Sequence, residues 1–276
     1  MIKRILVALD PDSDTEVAIR HAAEIARRHA AEVTGLAVVN VDYPSEGGGI
    51  GSLYYQEKLR EHATEESREV ARALIGKFED VIRDMDVQFR TLTQEGVPFE
   101  RIIEDMRYYD LLIVGRHAHF FYSRPNRETD TLEHVVRETA APALIVDTEY
   151  RPIQRVVVAF DGKPAAARSM QRFAQLQLFG AESPVDVVHI YDEDPAASEW
   201  IVNRAKEYLE AHGFRVEASS LSGGDPDEQI NRFAGERRAD LIVAGAHFGS
   251  RIRQFAFGST TVALLKHAPA SLFLEG

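Results

Sequence analysis

Gly245, Gly249 and the pair Gly258-Ser259 punctuate the stretch Gly245-Ala-His-Phe-Gly-Ser-Arg-Ile-Arg-Gln-Phe-Ala-Phe-Gly-Ser259, which leaves the apolar run Leu241-Ile-Val-Ala244. A glycine at the end of a strand lets backbone amides approach an anion closely. A Gly-Ser pair opening the next helix adds amides, a hydroxyl and the positive end of the helix dipole. These are groups that hold a phosphate. Arg251 and Arg253 place two guanidinium groups in the same stretch, and at least one could reach such a phosphate. Asp161 closes a second apolar run, Gln154-Arg-Val-Val-Val-Ala-Phe-Asp161, and its carboxylate could take a ribose hydroxyl or orient a cation.

The elements that must position these groups come in two matched sets. Lys3-Arg-Ile-Leu-Val-Ala-Leu-Asp10 returns as the run ending in Asp161, and Asp110-Leu-Leu-Ile-Val-Gly115 returns as Asp240-Leu-Ile-Val-Ala-Gly245. Gly96-Val-Pro98 returns as Gly224-Asp-Pro226 between them, so the order is kept and the chain is a duplication. Asp10 and Asp161 lie 151 positions apart and Gly96 and Gly224 lie 128 apart, so the first copy is 23 residues longer in between. That excess falls in 43–67, which includes the glycine-rich loop 44–51, and 148–152 is the natural linker.

Short apolar runs alternate with stretches of helical period, the pattern of a parallel sheet with crossover helices. Strands are expected at 4–9, 32–39, 87–93, 111–114 and 143–146, and again at 155–160, 185–190, 215–221, 241–244 and 271–274. Helices are expected at 14–29, 53–85, 99–109 and 131–138, then at 165–179, 196–212, 227–237 and 260–267. Val70, Leu74, Phe78, Val81, Ile82 and Met85 form a core stripe on the long helix. Pro98 and Pro226 open helices at a position that needs no amide donor. The fold class is α/β, with two flavodoxin-like (Rossmann-like) domains, each a five-stranded parallel sheet in order 3-2-1-4-5 with helices on both faces. Ligands on such sheets bind outside the carboxyl ends of the strands, where strand order reverses.

Composition narrows the partners. The 276 residues carry a formal net charge of -12, which opposes binding along a phosphate backbone, so no nucleic acid is expected. There is no cysteine, which removes disulfides, thiolate nucleophiles and thiolate metal sites. No apolar run reaches the roughly 20 residues of a membrane span, so no membrane partner is expected. The opening Met1-Ile-Lys-Arg-Ile-Leu-Val-Ala-Leu reads as a core strand of a cytoplasmic protein and not as a signal peptide.

Other residue sets have plainer readings. Asp10 and Asp161 also suit turns or helix caps. His117 and His247 align across the copies, but a zinc site needs three or four converging ligands and the sequence shows no partners for them, His119 included. No metal site is expected. Ser222-Gly-Gly-Asp-Pro-Asp227 reads as a turn before a helix, and Asp192-Glu-Asp194 as a solvated acidic turn. Neither a Walker A sequence nor a nucleophile elbow occurs, so the chain does not read as a dedicated enzyme.

With these residues in view, the chain resembles the universal stress protein family in its tandem two-domain form, over essentially its whole length. The family's nucleotide loop is Gly, two residues, Gly, nine residues, then Gly-Ser or Gly-Thr. Gly245 and Gly258-Ser259 fit that spacing, while Phe248 stands at the second glycine with Gly249 one step later. The resemblance implies ATP or another adenine nucleotide, with Mg as an accompanying cation, in the second domain. Asp161 would face ribose or adenine, Ile190 and Ala244 would line the base, and Gly245, Gly249, Arg251, Gly258, Ser259 and Thr260 would surround the phosphates. In the first copy Thr129-Asp130 stands opposite Gly258-Ser259, which puts a carboxylate where the family places phosphate. The domains are expected at 1–148, with a degenerate loop, and 152–276, with a near-intact one. They would pack as an intramolecular pseudo-dimer through their fifth strands, leaving room for a homodimer of the whole chain, in a stress-response sensor or adaptor. A binding or scaffolding module without nucleotide is the alternative, favoured by the bulk of Phe248.

Overall fold

The structure, a computed structural model, describes residues 1–12, 14–41, 53–120, 131–246 and 259–275. The loop 44–51, the pair Thr129-Asp130 and the candidate residues His247, Phe248, Gly249, Arg251, Arg253 and Gly258 lie outside the described residues.

β-branched and other apolar residues recur without a polar alternation in the inner strands of the first half, as they must when both faces are covered, while the edge strand β3 alternates exposed and partly buried residues. These are Arg4–Ala8 (β1), Glu32–Asn40 (β2), Gln88–Gly96 (β3), Leu111–Gly115 (β4) and Ala143–Val146 (β5), interleaved with helices Asp14–His29 (α1), Leu53–Ile82 (α2), Pro98–Met106 (α3) and Thr131–Glu138 (α4). The second half repeats the series. Its strands are Val156–Ala159 (β6), Pro184–Tyr191 (β7), Arg215–Ser222 (β8), Leu241–Gly245 (β9) and Ser271–Glu275 (β10), and its helices are Pro164–Leu176 (α5), Pro195–Ala211 (α6), Pro226–Arg237 (α7) and Ser259–His267 (α8).

Ten strands make one sheet in the order β3-β2-β1-β4-β5-β10-β9-β6-β7-β8, so each half shows the expected order 3-2-1-4-5. Pairing is parallel within the halves and antiparallel where β5 meets β10, with Ile145 opposite Leu272 and Ala143 opposite Leu274. Strand edges that would otherwise invite foreign strands are used up against each other. One apolar layer packs α1, α2, α5 and α6 on one face, and the other packs α3, α4, α7 and α8 on the opposite face. On α2, Phe78 and Ile82 of the expected stripe are fully buried. Gly35 on β2 makes room for Phe78, since a Cβ there would lie 2.7 Å from its ring.

Three helices stop three residues earlier than their periodicity predicts, α2 giving way after Ile82 to a 3-10 turn at Arg83–Met85. α5 ends at Leu176 because Gln177 turns left-handed at φ 47° and uses its side-chain amide to bond the His212 carbonyl at 2.9 Å. α3 ends at Met106, and the turns after it carry Tyr109 inward, where its hydroxyl meets Thr34 and Arg90 at 3.1 and 2.8 Å. The extra length of the first copy extends α2 to 30 residues, against 17 for the matching α6.

Candidate functional site

In the second half, register places the candidate groups at one level. Ala159 of β6 lies beside Val188 of β7, and Val158 beside Val243 of β9, so Asp161, Ile190 and Gly245 all sit two residues beyond paired positions. The Thr261 hydroxyl at the start of α8 donates to the Gly245 carbonyl at 3.2 Å, which brings Ser259 and Thr260 to the same end of the sheet. Ala244 is buried and Ile190 partly buried against the apolar layer below. Gly245 has a packing reason of its own: a Cβ there would meet the backbone nitrogen of Ala166 at 2.5 Å. Asp161 stays open, its side chain 50% exposed. One oxygen accepts the Lys163 backbone N–H at 2.9 Å and the other pairs with the Lys163 ammonium at 3.2 Å. The turn reading of Asp161 and the binding reading therefore coexist, because the carboxylate still faces solvent.

His189, beside this site, escaped the sequence reading. Its Nδ1 lies 2.7 Å from the Ser198 hydroxyl, which donates on to Ser220 at 2.9 Å. Burial pulls the His189 pKa down, Asp161 opposes that, and Lys163 reinforces it. A histidine breaking the apolar run of β7 was the available signal.

The first half treats the matching carboxylate differently. Asp10 is 1% exposed, and one oxygen accepts the backbone N–H groups of Phe120 at 2.6 Å and His119 at 3.1 Å. Phe120, itself 1% exposed and left-handed at φ 60°, turns its ring into the apolar layer. Burial pushes the Asp10 pKa up to about 7 against the hydrogen bonds from Phe120 and Asp12, and the Asp12 charge adds to the rise. Asp14 accepts the His117 N–H at 2.9 Å, and Gly115 must be glycine because a Cβ would run into the Asp14 carboxylate. The strand end is thus closed by its own loop, a more direct obstacle to a ligand than a charge at Asp130.

Two plainer readings agree with local geometry. Gly223 and Gly224 take φ 70° and 88° in a turn leading to α7, and Asp194 caps α6 by accepting the Ala197 N–H at 2.9 Å. Among the described residues, no helix is long and apolar enough to cross a membrane.

The fold and its duplicated strand ends match known proteins. The family model "Universal stress protein family" matches residues 1–147 and again 152–274. The chain belongs to the universal stress protein family, in tandem form. A universal stress protein of Synechocystis sp. is 30% identical over 169 residues, a match spanning 59% of this chain and 57% of that protein's length. Over 99% of this chain the fold superposes on a universal stress protein from Archaeoglobus fulgidus, with a TM-score of 0.74, 18% identity and 97% of that chain covered. A protein of unknown function from Pseudomonas aeruginosa gives a TM-score of 0.61 at 16% identity, with 99% of this chain and 92% of that chain covered.

Proposed function

We propose that this protein binds ATP or another adenine nucleotide at the strand ends of its second half and serves in the cytoplasm as a stress-response sensor or adaptor. The observation that carries the reading is the contrast between two matched aspartates. Asp161 is half exposed beside the apolar layer that holds Ile190 and Ala244, whereas Asp10 is buried and bonded to the backbone of His119 and Phe120. The residues fit the ligand: an open carboxylate for the ribose, small and apolar positions for the base, and the amide-bearing start of α8 for the phosphates. Gly245, Gly249, Gly258, Ser259, Thr260 and Arg251 are assigned to the phosphates, with Mg as their counter-ion. The units 1–148 and 152–276 act together as an intramolecular pseudo-dimer. The supporting experiment is mass spectrometry of ligand released from purified protein: an adenine nucleotide supports the reading, and a different small molecule or none supports a scaffold.

A further inference from the structure

We propose that the closed strand end of the first half is a site for a divalent transition-metal ion of the zinc class, held by Asp10, Asp12 and His119. The three side chains come from two separate loops, and one ligand atom from each lies within 4.8 Å of the other two. His119 Nδ1 is 4.0 Å from an Asp10 oxygen and His119 Nε2 is 3.9 Å from an Asp12 oxygen. Those separations are too long for hydrogen bonds. Ligands about 2.0–2.2 Å from a tetrahedrally held ion stand about 3.4 Å apart, so the three donor atoms draw in from separations of up to 4.8 Å to complete the site. One imidazole nitrogen with two carboxylates is a donor set for zinc or manganese, and solvent can fill a fourth position because Asp12 is partly exposed.

Comparison of the copies points independently to a cation. Asp10, Asp12 and Asp14 align with Asp161, Lys163 and Ala165. In the second half the Lys163 ammonium lies 3.2 Å from the Asp161 carboxylate and supplies its positive charge. In the first half an aspartate replaces that lysine. Among the described residues, His119 is the only basic side chain within 4.0 Å of the buried Asp10 carboxylate. Asp14, 0% exposed, adds a further buried carboxylate at the start of α1, and its Oδ1 has no hydrogen-bond partner. A bound dication neutralises the carboxylates that burial otherwise disfavours. Asp14 holds the loop carrying His119 through its bond to the His117 N–H.

The site is independent of nucleotide binding, so it is tested with metal alone. Chelator-stripped full-length protein, with no nucleotide present, is titrated calorimetrically with ZnCl2, and Co2+ uptake is followed by its visible absorption. One ion per chain is expected. Asp12→Asn and His119→Gln should each weaken Zn2+ binding at least about tenfold and bleach the Co2+ bands, while the surface variant His62→Gln leaves both unchanged. Circular dichroism confirms that the variants are folded, and Asp12→Asn, at a partly exposed position, keeps the test open if His119→Gln is not. Absence of saturable uptake, or uptake that survives Asp12→Asn, would overturn the assignment.

Discussion

Arg116 of the first half donates a 2.6 Å hydrogen bond to the Ala270 carbonyl of the second. The same buried guanidinium reaches the Leu264 and Leu265 carbonyls at the end of α8, each at 3.2 Å. A cation at a helix C-terminus meets both the unpaired carbonyls and the negative end of the dipole. Burial pulls the Arg116 pKa down, with the Asp147 and Asp14 charges opposing, yet a guanidinium remains protonated at any working pH. Ala246 occupies the matching position in the second half, so this clasp is one-sided.

Arg116→Ala should therefore loosen the junction and lower stability by about 2–4 kcal/mol, because several buried carbonyls lose charge-assisted partners. Arg116→Lys should recover little, since one ammonium cannot reproduce the planar fork. Urea unfolding of the three proteins checks this, and a full recovery by lysine would contradict it.

Gly35→Ala should cost about 1–3 kcal/mol, because the added methyl displaces the Phe78 ring from a filled core. Combining it with Phe78→Leu should be less damaging than the two single effects added, a coupling that a double-mutant cycle reads directly.

His189 sets a pH dependence. Its folded-state pKa lies below the ordinary histidine value, chiefly through burial. The unfolded chain then binds the proton more readily, so this contribution to stability is present above about pH 6.5 and is lost as pH falls through the folded value. Denaturation midpoints at about pH 7.5 and about pH 5.5 should differ less in His189→Gln than in the parent chain. An unchanged difference would show that His189 does not titrate in this way.

Much of the fold was legible because both halves carry their apolar strand runs and helical stripes in the same order, and the same prolines open α3 and α7. What sequence could not show was how loops close over strand ends. The backbone of Phe120 reaches Asp10 across 110 positions, and Arg116 reaches Ala270 across 154. No periodicity encodes such contacts. The Asp10, Asp12 and His119 grouping was hidden for the same reason: its members look like a turn and a loop histidine until β1 and β4 are placed side by side. The early ends of α3 and α5 reflect Tyr109 and Gln177 making tertiary hydrogen bonds that outweigh helix propensity.

The two matched strand ends are proposed to have diverged, that of Asp161 taking nucleotide and that of Asp10 excluding it. Calorimetric titration of ATP into the full chain, repeated with Gly258→Asp, tests it most directly. One nucleotide per chain is expected, with a loss of about two to four decades in affinity in the variant, because losing two charge-assisted phosphate bonds costs about 3–6 kcal/mol. Two nucleotides per chain, none, or an affinity untouched by Gly258→Asp would contradict it.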